Sequence, residues 1–231
     1  RKNILCIILA RGGSKGIPKT NIFLINGHPL ISYSIFAGLN SKYIDKVVVS
    51  TDSKKIKSFS EKYGADVPFL RPKKLSLDKT LSVHALQHAV KKCEEIYKTV
   101  YDYVIEIPAV SPFRCSKDID NALEIFFKNK SLDSLSAYVS SGEKHPIRLK
   151  RLRKNKITNF CKEYPEDPKG SRRQDFETSY IRNGSIYLVT RKSLFAHNSR
   201  NGGNHFPFVM PENKSLNIDN KFDLEIAKLL I

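Results

Sequence analysis

The sequence predicts an α/β fold built on a mostly parallel, doubly wound sheet of the Rossmann type. Short apolar runs typical of buried strands alternate along the chain with segments of helical periodicity. The first apolar run, Ile4–Leu9, opens directly into a glycine-rich turn. Polar residues also follow several strands at their carboxyl ends, where ligands bind in such sheets. A chain of 231 residues is long enough for one large domain with a sizeable core.

The elements follow from apolar periodicity and from turn residues at their ends. Pro29 suits the first turn of a helix, Ser116 is a candidate N-cap, and Gly64 is a plausible helix stop. Strands are expected at residues 3–10, 46–50, 103–107, 134–139, 185–189 and 208–210, and a short extended segment at residues 66–70. Helices are expected at residues 29–40, 53–63, 81–97, 117–127, 191–195 and 222–230.

The stretch from 140 to about 178 interrupts this alternation. It is polar, basic and proline-bearing, with weak strand signals at 147–149 and 156–160. A long irregular insertion in a compact domain is usually functional or disordered. We therefore treat residues 1–231 as one domain that carries an inserted arm at about 140–178.

The net charge of +17, from 40 Lys and Arg against 23 Asp and Glu, favours anionic partners. The densest basic cluster, residues 148–156, is compatible with nucleic-acid binding, but no helix-turn-helix, zinc-finger or RNP pattern accompanies it. We expect no specific nucleic-acid partner. No apolar stretch is long enough to span a membrane, and no signal peptide is recognisable, so we expect a cytoplasmic protein.

The turn after the first strand has the features of a phosphate-binding loop. Gly12, Gly13 and Gly16 allow close approach of the backbone to a ligand, and Arg11 and Lys15 add positive charge. The loop is neither a Walker A motif nor a G-x-G-x-x-G fingerprint. A glycine-rich turn with two solvated cations is the alternative interpretation.

Six motifs in order give the chain a family resemblance. The motifs are LARGGSKGIP at 9–18, VVSTD at 48–52, SPFR at 111–114, RRQD at 172–175, NGSIY at 183–187 and NID at 217–219. With these motifs the chain resembles the acylneuraminate cytidylyltransferases, and the resemblance covers nearly its whole length. It implies a homodimeric, nucleotidyltransferase-like enzyme that joins CTP to a nine-carbon 2-keto sugar acid and releases pyrophosphate.

The resemblance also implies a nucleotide site. Its residues are Arg11, Gly13, Ser14, Lys15, Asn21 and Ser82. Arg11, Ser14 and Lys15 would hold the triphosphate, and Ser82 would contact the cytidine. Taken alone, Ser82 could equally cap or line the start of its helix.

The acceptor site is implied by a second set: Arg173, Tyr180, Asn183 and Gly184. The arm would pack on the other subunit and direct Arg173 toward the sugar site, with Asp175 orienting it. Without the resemblance, the exposed run RRQD at 172–175 would be interpreted as an ordinary solvated loop. Asn183-Gly184 before an apolar strand is equally a turn signal.

The family holds Mg²⁺ with an Asp-x-Asp pair, which here is Asn217-Ile-Asp219. We expect Asp219 to be the principal ligand and Asn217 a weaker neutral one, because hard cations accept amide oxygens. Asp223 is a candidate helix-start or supporting residue. Asp219 could instead be only the N-cap of the last helix. Arg11, Lys15 and Asp219 are thus the expected catalytic residues, and no general base is evident.

Two further departures concern the substrates. Thr20 replaces the family's lysine before Asn21, with Lys19 beside it, and Pro108 replaces a glutamine near Ser111. Proline offers no side-chain hydrogen bond, so acceptor recognition there must differ. The alternatives are a CMP-octulosonate or other sugar nucleotidyltransferase, and a catalytically weak relative that binds nucleotide or nucleic acid.

Overall fold

The computed structural model describes residues 2–13, 20–166, 172, 174 and 176–231. Its strands are β1 (Ile4–Leu9), β2 (Leu24–Ile25), β3 (His28–Pro29), β4 (Lys46–Ser50), β5 (Tyr103–Glu106), β6 (Ser134–Ser140), β7 (Lys150–Arg153), β8 (Lys156–Asn159), β9 (Tyr180–Thr190) and β10 (His205–Val209). Over these described residues, six strands form one sheet in the order β10-β6-β9-β5-β1-β4. The pairs β2-β3 and β7-β8 form separate two-stranded ribbons.

The central sheet is mainly parallel, as predicted. Strand β1 pairs in parallel with β4 and β5, and β10 pairs in parallel with β6. Strand β9 is antiparallel to both of its neighbours, β5 and β6. Because β9 runs in reverse, its first residues lie at the edge where β5 and β6 end. That edge therefore collects residues from both kinds of strand.

Helices cover both faces of the sheet, which confirms the doubly wound prediction. They are α1 (Leu30–Leu39), α2 (Lys54–Lys62), α3 (Ser82–Tyr97), α4 (Ser116–Lys128), α5 (Arg191–Ala196) and α6 (Lys221–Leu230). On one face, alternate β1 residues such as Ile8 pack with Ile35 of α1 and Leu123 of α4. On the other face, Ile7 packs with Leu86 of α3. The alternation follows from the two-residue period of a strand.

Several boundaries differ from the prediction for local reasons. The expected strand at 147–149 is a 3-10 turn, Pro146–Arg148, because Pro146 suits the start of a helical turn. The short extended segment expected at 66–70 makes the isolated parallel bridges Val48↔Asp66 and Thr51↔Leu70.

The N-cap of α4 is Cys115 rather than Ser116, since Asp118 closes a capping box on Cys115. Gly64 does end α2, with φ of +92°, as expected. In the part of the chain that the structure describes, no helix combines the length and apolarity needed to cross a membrane.

Candidate active site

The loop after β1 is anchored to the end of the neighbouring strand β4. The N–H of Gly12 donates to Oδ1 of Asp52 at 2.8 Å, and the N–H of Ala10 donates to the carbonyl of Ser50 at 3.0 Å. A Cβ on Gly12 would lie 3.1 Å from Cβ of Ser53, so the close approach favours glycine there. The carboxylate of Asp52 thus fixes the start of the predicted phosphate loop.

Arg11 and Asn21 meet at this loop, as the sequence predicts. Nδ2 of Asn21 donates to the carbonyl of Arg11 at 3.1 Å, and Nη1 of Arg11 pairs with Oδ1 of Asp78 at 2.6 Å. Gly13 is exposed beside them. The predicted ligands Ser14 and Lys15 lie outside the described residues.

Arg71 is a candidate site residue that the sequence analysis missed. Its N–H donates to the carbonyl of Thr51 at 2.7 Å, which places it at the carboxyl end of β4. The residue is only 5% exposed, and Nε donates to Oγ of Ser76 at 3.0 Å. The described residues provide no hydrogen-bond acceptor for Nη1 and Nη2. Burial lowers the pKa of Arg71, and the Asp52 carboxylate partly opposes this.

Two other predicted positions can now be placed. Ser82 is exposed at the start of α3, where the N-cap is Leu81 and no side chain makes a capping hydrogen bond. The structure therefore gives no support to Ser82 as a helix cap. Thr20 is buried at the start of a 3-10 turn, Thr20–Ile22. Lys19, the possible substitute for the family's lysine, lies outside the described residues.

A cleft of about 430 Å³ opens beside β9 and the loop that precedes α6. This volume lies within the range of small-molecule sites. Its lining includes the predicted residues Asn183, Asn217 and Asp219, together with two cations that the sequence analysis did not single out, Lys144 and Arg182. The only sequence signal for these two was the general excess of basic residues.

Asn183 and Gly184 form a bulge inside β9 rather than a turn before it. Ser136 pairs with Tyr187 and Tyr138 pairs with Arg182, so residues 183–186 lie opposite a single residue of β6. Gly184 has φ of +72°, a conformation that favours glycine. The turn interpretation was wrong because the strand continues on both sides of the bulge. Bulges of this kind redirect side chains.

Asp219 is not the cap of the last helix. The N-cap of α6 is Asn220, and Asp223 completes a capping box while also accepting the N–H of Asp219 at 2.9 Å. Asp223 is thus a helix-start residue that also contacts Asp219. Although Asp219 is exposed as a residue, partial burial of its carboxyl group in the cleft raises its pKa, and the nearby Asp223 carboxylate adds to the effect.

The donor set fits a divalent cation that is largely carried by its substrate. Among the described residues, no group of three or more His, Cys, Asp or Glu side chains could hold a metal ion. Asp223 is committed to its capping bonds. The amide of Asn217 already joins Ser111 and Asn183 through its two polar atoms. Besides Asp223, the cleft lining carries the carboxylates of Asp219 and Glu212, and Mg²⁺ commonly uses one or two carboxylates together with substrate phosphates.

A buried arginine, Arg114, joins α1 and β9 through its hydrogen bonds. Arg114 donates to the carbonyl of Ser185 at 3.0 Å and to Oγ of Ser34 at 2.7 Å. Burial lowers its pKa to about 10. Oγ of Ser34 donates to the carbonyl of Pro108 at 2.9 Å. Pro108, which replaces the family's glutamine, thus contributes its main-chain carbonyl as an acceptor to this hydrogen-bond network.

The arm contains the ribbon β7-β8 and begins beside the cleft. Tyr180 pairs with Ser140 at the start of β9 and is exposed. The ribbon presents two apolar side chains in register, Leu152 and Ile157, which are 71% and 68% exposed. The predicted acceptor residue Arg173 and its partner Asp175 lie outside the described residues.

Comparisons with known proteins agree with this architecture. A family model described as cytidylyltransferase matches residues 5–193. The chain is 37% identical to a pseudaminic acid cytidylyltransferase of Campylobacter jejuni, over 98% of this chain and 95% of that protein. It is 36% identical to a CMP-N,N'-diacetyllegionaminic acid synthase of the same species, over 99% and 94%.

A solved structure of CMP:2-keto-3-deoxy-manno-octonic acid synthetase complexed with CTP resembles the fold. Its TM-score is 0.75 at 18% identity, and the match covers 99% of this chain and 98% of that one. At this identity the likeness concerns the fold alone. The family match and the full-length relatives carry the assignment: this chain belongs to the cytidylyltransferase family.

Proposed function

We propose that this enzyme transfers the cytidylyl group of CTP to the anomeric hydroxyl of a nine-carbon 2-keto sugar acid and releases pyrophosphate. The observation that carries the proposal is the cleft lined by Asn183 and Asp219 beside β9, in the same sheet whose strand β1 leads into the anchored phosphate loop. Strand β5 lies between β9 and β1, and the segment after β5 contacts the cleft side, because the N–H of Ile218 donates to the carbonyl of Val110 at 2.9 Å. The relatives named for sugar-acid cytidylyl transfer support the same reaction.

The nucleotide would lie over the ends of β1 and β4. Arg11 and the main chain at Gly13 would contact the triphosphate, together with Ser14 and Lys15 in our proposal. Asn21 and Ser82 would contact the nucleoside. The Nη groups of Arg71, which have no acceptor among the described residues, suit the two acceptors of the cytosine edge, O2 and N3. Selective binding of CTP would then follow from a buried donor that needs an acceptor.

In the reaction, the anomeric oxygen forms a bond to the α-phosphorus while the bond from that phosphorus to the bridging oxygen breaks. The electron pair leaves with pyrophosphate, and the hydroxyl proton passes to solvent. Such transfers depend mainly on positioning and charge neutralisation. Mg²⁺ would supply charge neutralisation on the triphosphate, held on the protein side by Asp219, with Asn217 next to it.

The acceptor would occupy the cleft beside β9. Lys144 and Arg182 place positive charge at its lining, which suits the carboxylate of a sugar acid. Tyr180 and the bulge at residues 183–184 would contact the sugar of the acceptor, and Arg173 would approach the acceptor from the arm. Because Pro108 has no side-chain donor, these groups would have to provide the recognition that the family's glutamine gives.

A homodimer is part of the proposal. A two-stranded ribbon is only marginally stable alone, and an exposed Leu152–Ile157 pair gains most from being covered. A second copy of the chain packing on the arm would cover it. The strong positive charge would then serve small anions, and any nucleic-acid binding should be weak, non-specific and steeply salt-dependent.

The test is pyrophosphate release over a matrix of nucleotides and acceptors. The nucleotides are CTP, UTP and GTP, and the acceptor panel is N-acetylneuraminic, pseudaminic, N,N'-diacetyllegionaminic and 3-deoxy-manno-octulosonic acids. We expect release to require CTP and one of the nine-carbon acids. Faster release with UTP or GTP would refute the nucleotide assignment. Preference for the eight-carbon acid would favour the octulosonate alternative.

A further inference from the structure

Asn217 joins three separate segments of the site through its amide. Oδ1 accepts a hydrogen bond from Oγ of Ser111, in the turn after β5, and Nδ2 donates to the main-chain carbonyl of Asn183, in the bulge of β9. Asn217 itself belongs to the loop that precedes α6. One side chain thus connects the end of a parallel strand, the antiparallel strand and the last loop.

The same contacts continue beyond Asn217. Nδ2 of Asn183 donates to Oγ of Ser215 at 2.9 Å, and Oδ1 of Asn183 accepts the N–H of Ser185 at 3.1 Å. Asn183 is only 3% exposed, so the loss of a partner there would leave buried polar atoms unsatisfied. The bulge and the last loop are therefore held together as one unit.

The bulge also packs directly on the Asn217 side chain. A Cβ on Gly184 would lie 3.1 Å from Nδ2 of Asn217, so the glycine leaves the room that the amide occupies. The positive φ of Gly184 turns the chain here. The shape of the bulge and the position of the amide depend on each other.

The chemistry of this position calls for an amide. A carboxylate can accept from Ser111, but it has no N–H for the carbonyl of Asn183. Its second oxygen would face that carbonyl oxygen, and two acceptors in contact repel each other. An aspartate is therefore a poor substitute at 217 in this chain, even though it would add a potential metal ligand.

We propose that Asn217 is a positioning residue, whose amide fixes the bulge at residues 183–184 for the acceptor, while Asp219 supplies the carboxylate that would hold Mg²⁺. This inference rests on the proposed function for its kinetic consequences. Asn217 and Asp219 line the same cleft but have separate roles. The amide of Asn217 sets the shape of the acceptor site, and the carboxylate of Asp219 would hold the metal ion.

The test compares Asn217→Asp with the charge-matched control Asn220→Asp. Asp at the N-cap of α6 accepts the same hydrogen bond that Asn220 accepts now, so the control adds an equal charge nearby without loss of the cap. For Asn217→Asp we expect the KM of the fastest panel acid to rise at least tenfold, the KM of CTP to change less than threefold, and the Mg²⁺ requirement not to fall. The control should resemble wild type. A lowered Mg²⁺ requirement with unchanged acceptor KM would overturn the proposal.

A second measurement does not depend on activity. Amide hydrogen exchange of segments 180–189 and 211–220 should be at least tenfold faster in Asn217→Asp than in Asn220→Asp. Wild-type protection in both segments would refute the positioning role. If Asn217→Asp does not fold, Ser111→Ala removes one partner of the amide and should accelerate exchange in the same segments. An inactive wild type would refute the proposed function and still leave this exchange result decisive.

Discussion

Replacement of Arg71 by lysine tests how the enzyme would recognise its nucleotide. Lysine retains the charge but loses the planar group with two Nη donors. The buried arginine uses only Nε within the described residues, so its Nη donors are available to the cytosine edge. We expect the variant to bind CTP more weakly and to distinguish CTP from UTP less well.

The magnitude follows from the hydrogen bonds involved. A hydrogen bond to a charged group contributes about 1.5–3 kcal/mol, which corresponds to a rise in the KM of CTP of about ten- to hundredfold. If the contact binds ground state and transition state equally, kcat should change little. The lost bond from Nε to Ser76 should separately lower the free energy of unfolding by about 1 kcal/mol.

The assay is initial-rate pyrophosphate release with CTP and with UTP, combined with denaturant unfolding. Ser76→Ala is the matched control, because it removes the partner of Nε and keeps the guanidinium. It should destabilise the fold by a similar amount while the KM of CTP stays within threefold of wild type. A KM for CTP within twofold of wild type in Arg71→Lys, with the CTP preference intact, would show that Arg71 does not read the base.

Three further perturbations follow from the same geometry. Asp219→Ala should lower kcat by about a hundredfold or more and leave the melting temperature unchanged, and a near-normal rate at all Mg²⁺ concentrations would contradict its metal role. The double variant Leu152→Asp, Ile157→Asp should be a monomer by light scattering. A mass unchanged from wild type would exclude the ribbon from the dimer contact. Asp118→Asn should lower the free energy of unfolding by about 1–2 kcal/mol at neutral pH, since it weakens the ion pair with Lys214 at 2.8 Å and the capping box. Burial opposes ionisation of Asp118, but hydrogen bonds from Lys214 and from the N–H of Cys115 outweigh it and lower the pKa of Asp118. The deficit in the free energy of unfolding should therefore shrink only as pH falls below 3.8. A deficit that persists at lower pH would contradict this.

Local patterns predicted the fold and part of the site. Apolar runs identified β1, β4 and β5, and the loop after β1 holds Arg11 and Asn21 in contact. The period of a strand and the length of a helix are local properties, so one sequence suffices to detect them. The direction of β9 was not evident, because an apolar strand reads the same whether its neighbours are parallel or antiparallel.

The missed parts of the site depend on contacts between distant segments. Arg71 is notable only because its backbone hydrogen bond to Thr51 places it, buried, at the carboxyl end of β4. Asn217 resembles a weakened metal ligand in sequence, and its bonds to Ser111 and Asn183 become visible only when three segments meet. Asn183-Gly184 reads locally as a turn, and only the pairing with β6 shows that it is a bulge.

The most direct test of the central claim is identification of the product. CTP, Mg²⁺ and the preferred nine-carbon acid should be incubated with the enzyme, and the mixture analysed by mass spectrometry together with pyrophosphate determination. We predict one intact CMP-sugar acid for each pyrophosphate released, with no product when either substrate is omitted. Release of pyrophosphate with free CMP alone, or release that does not depend on the sugar acid, would contradict the account.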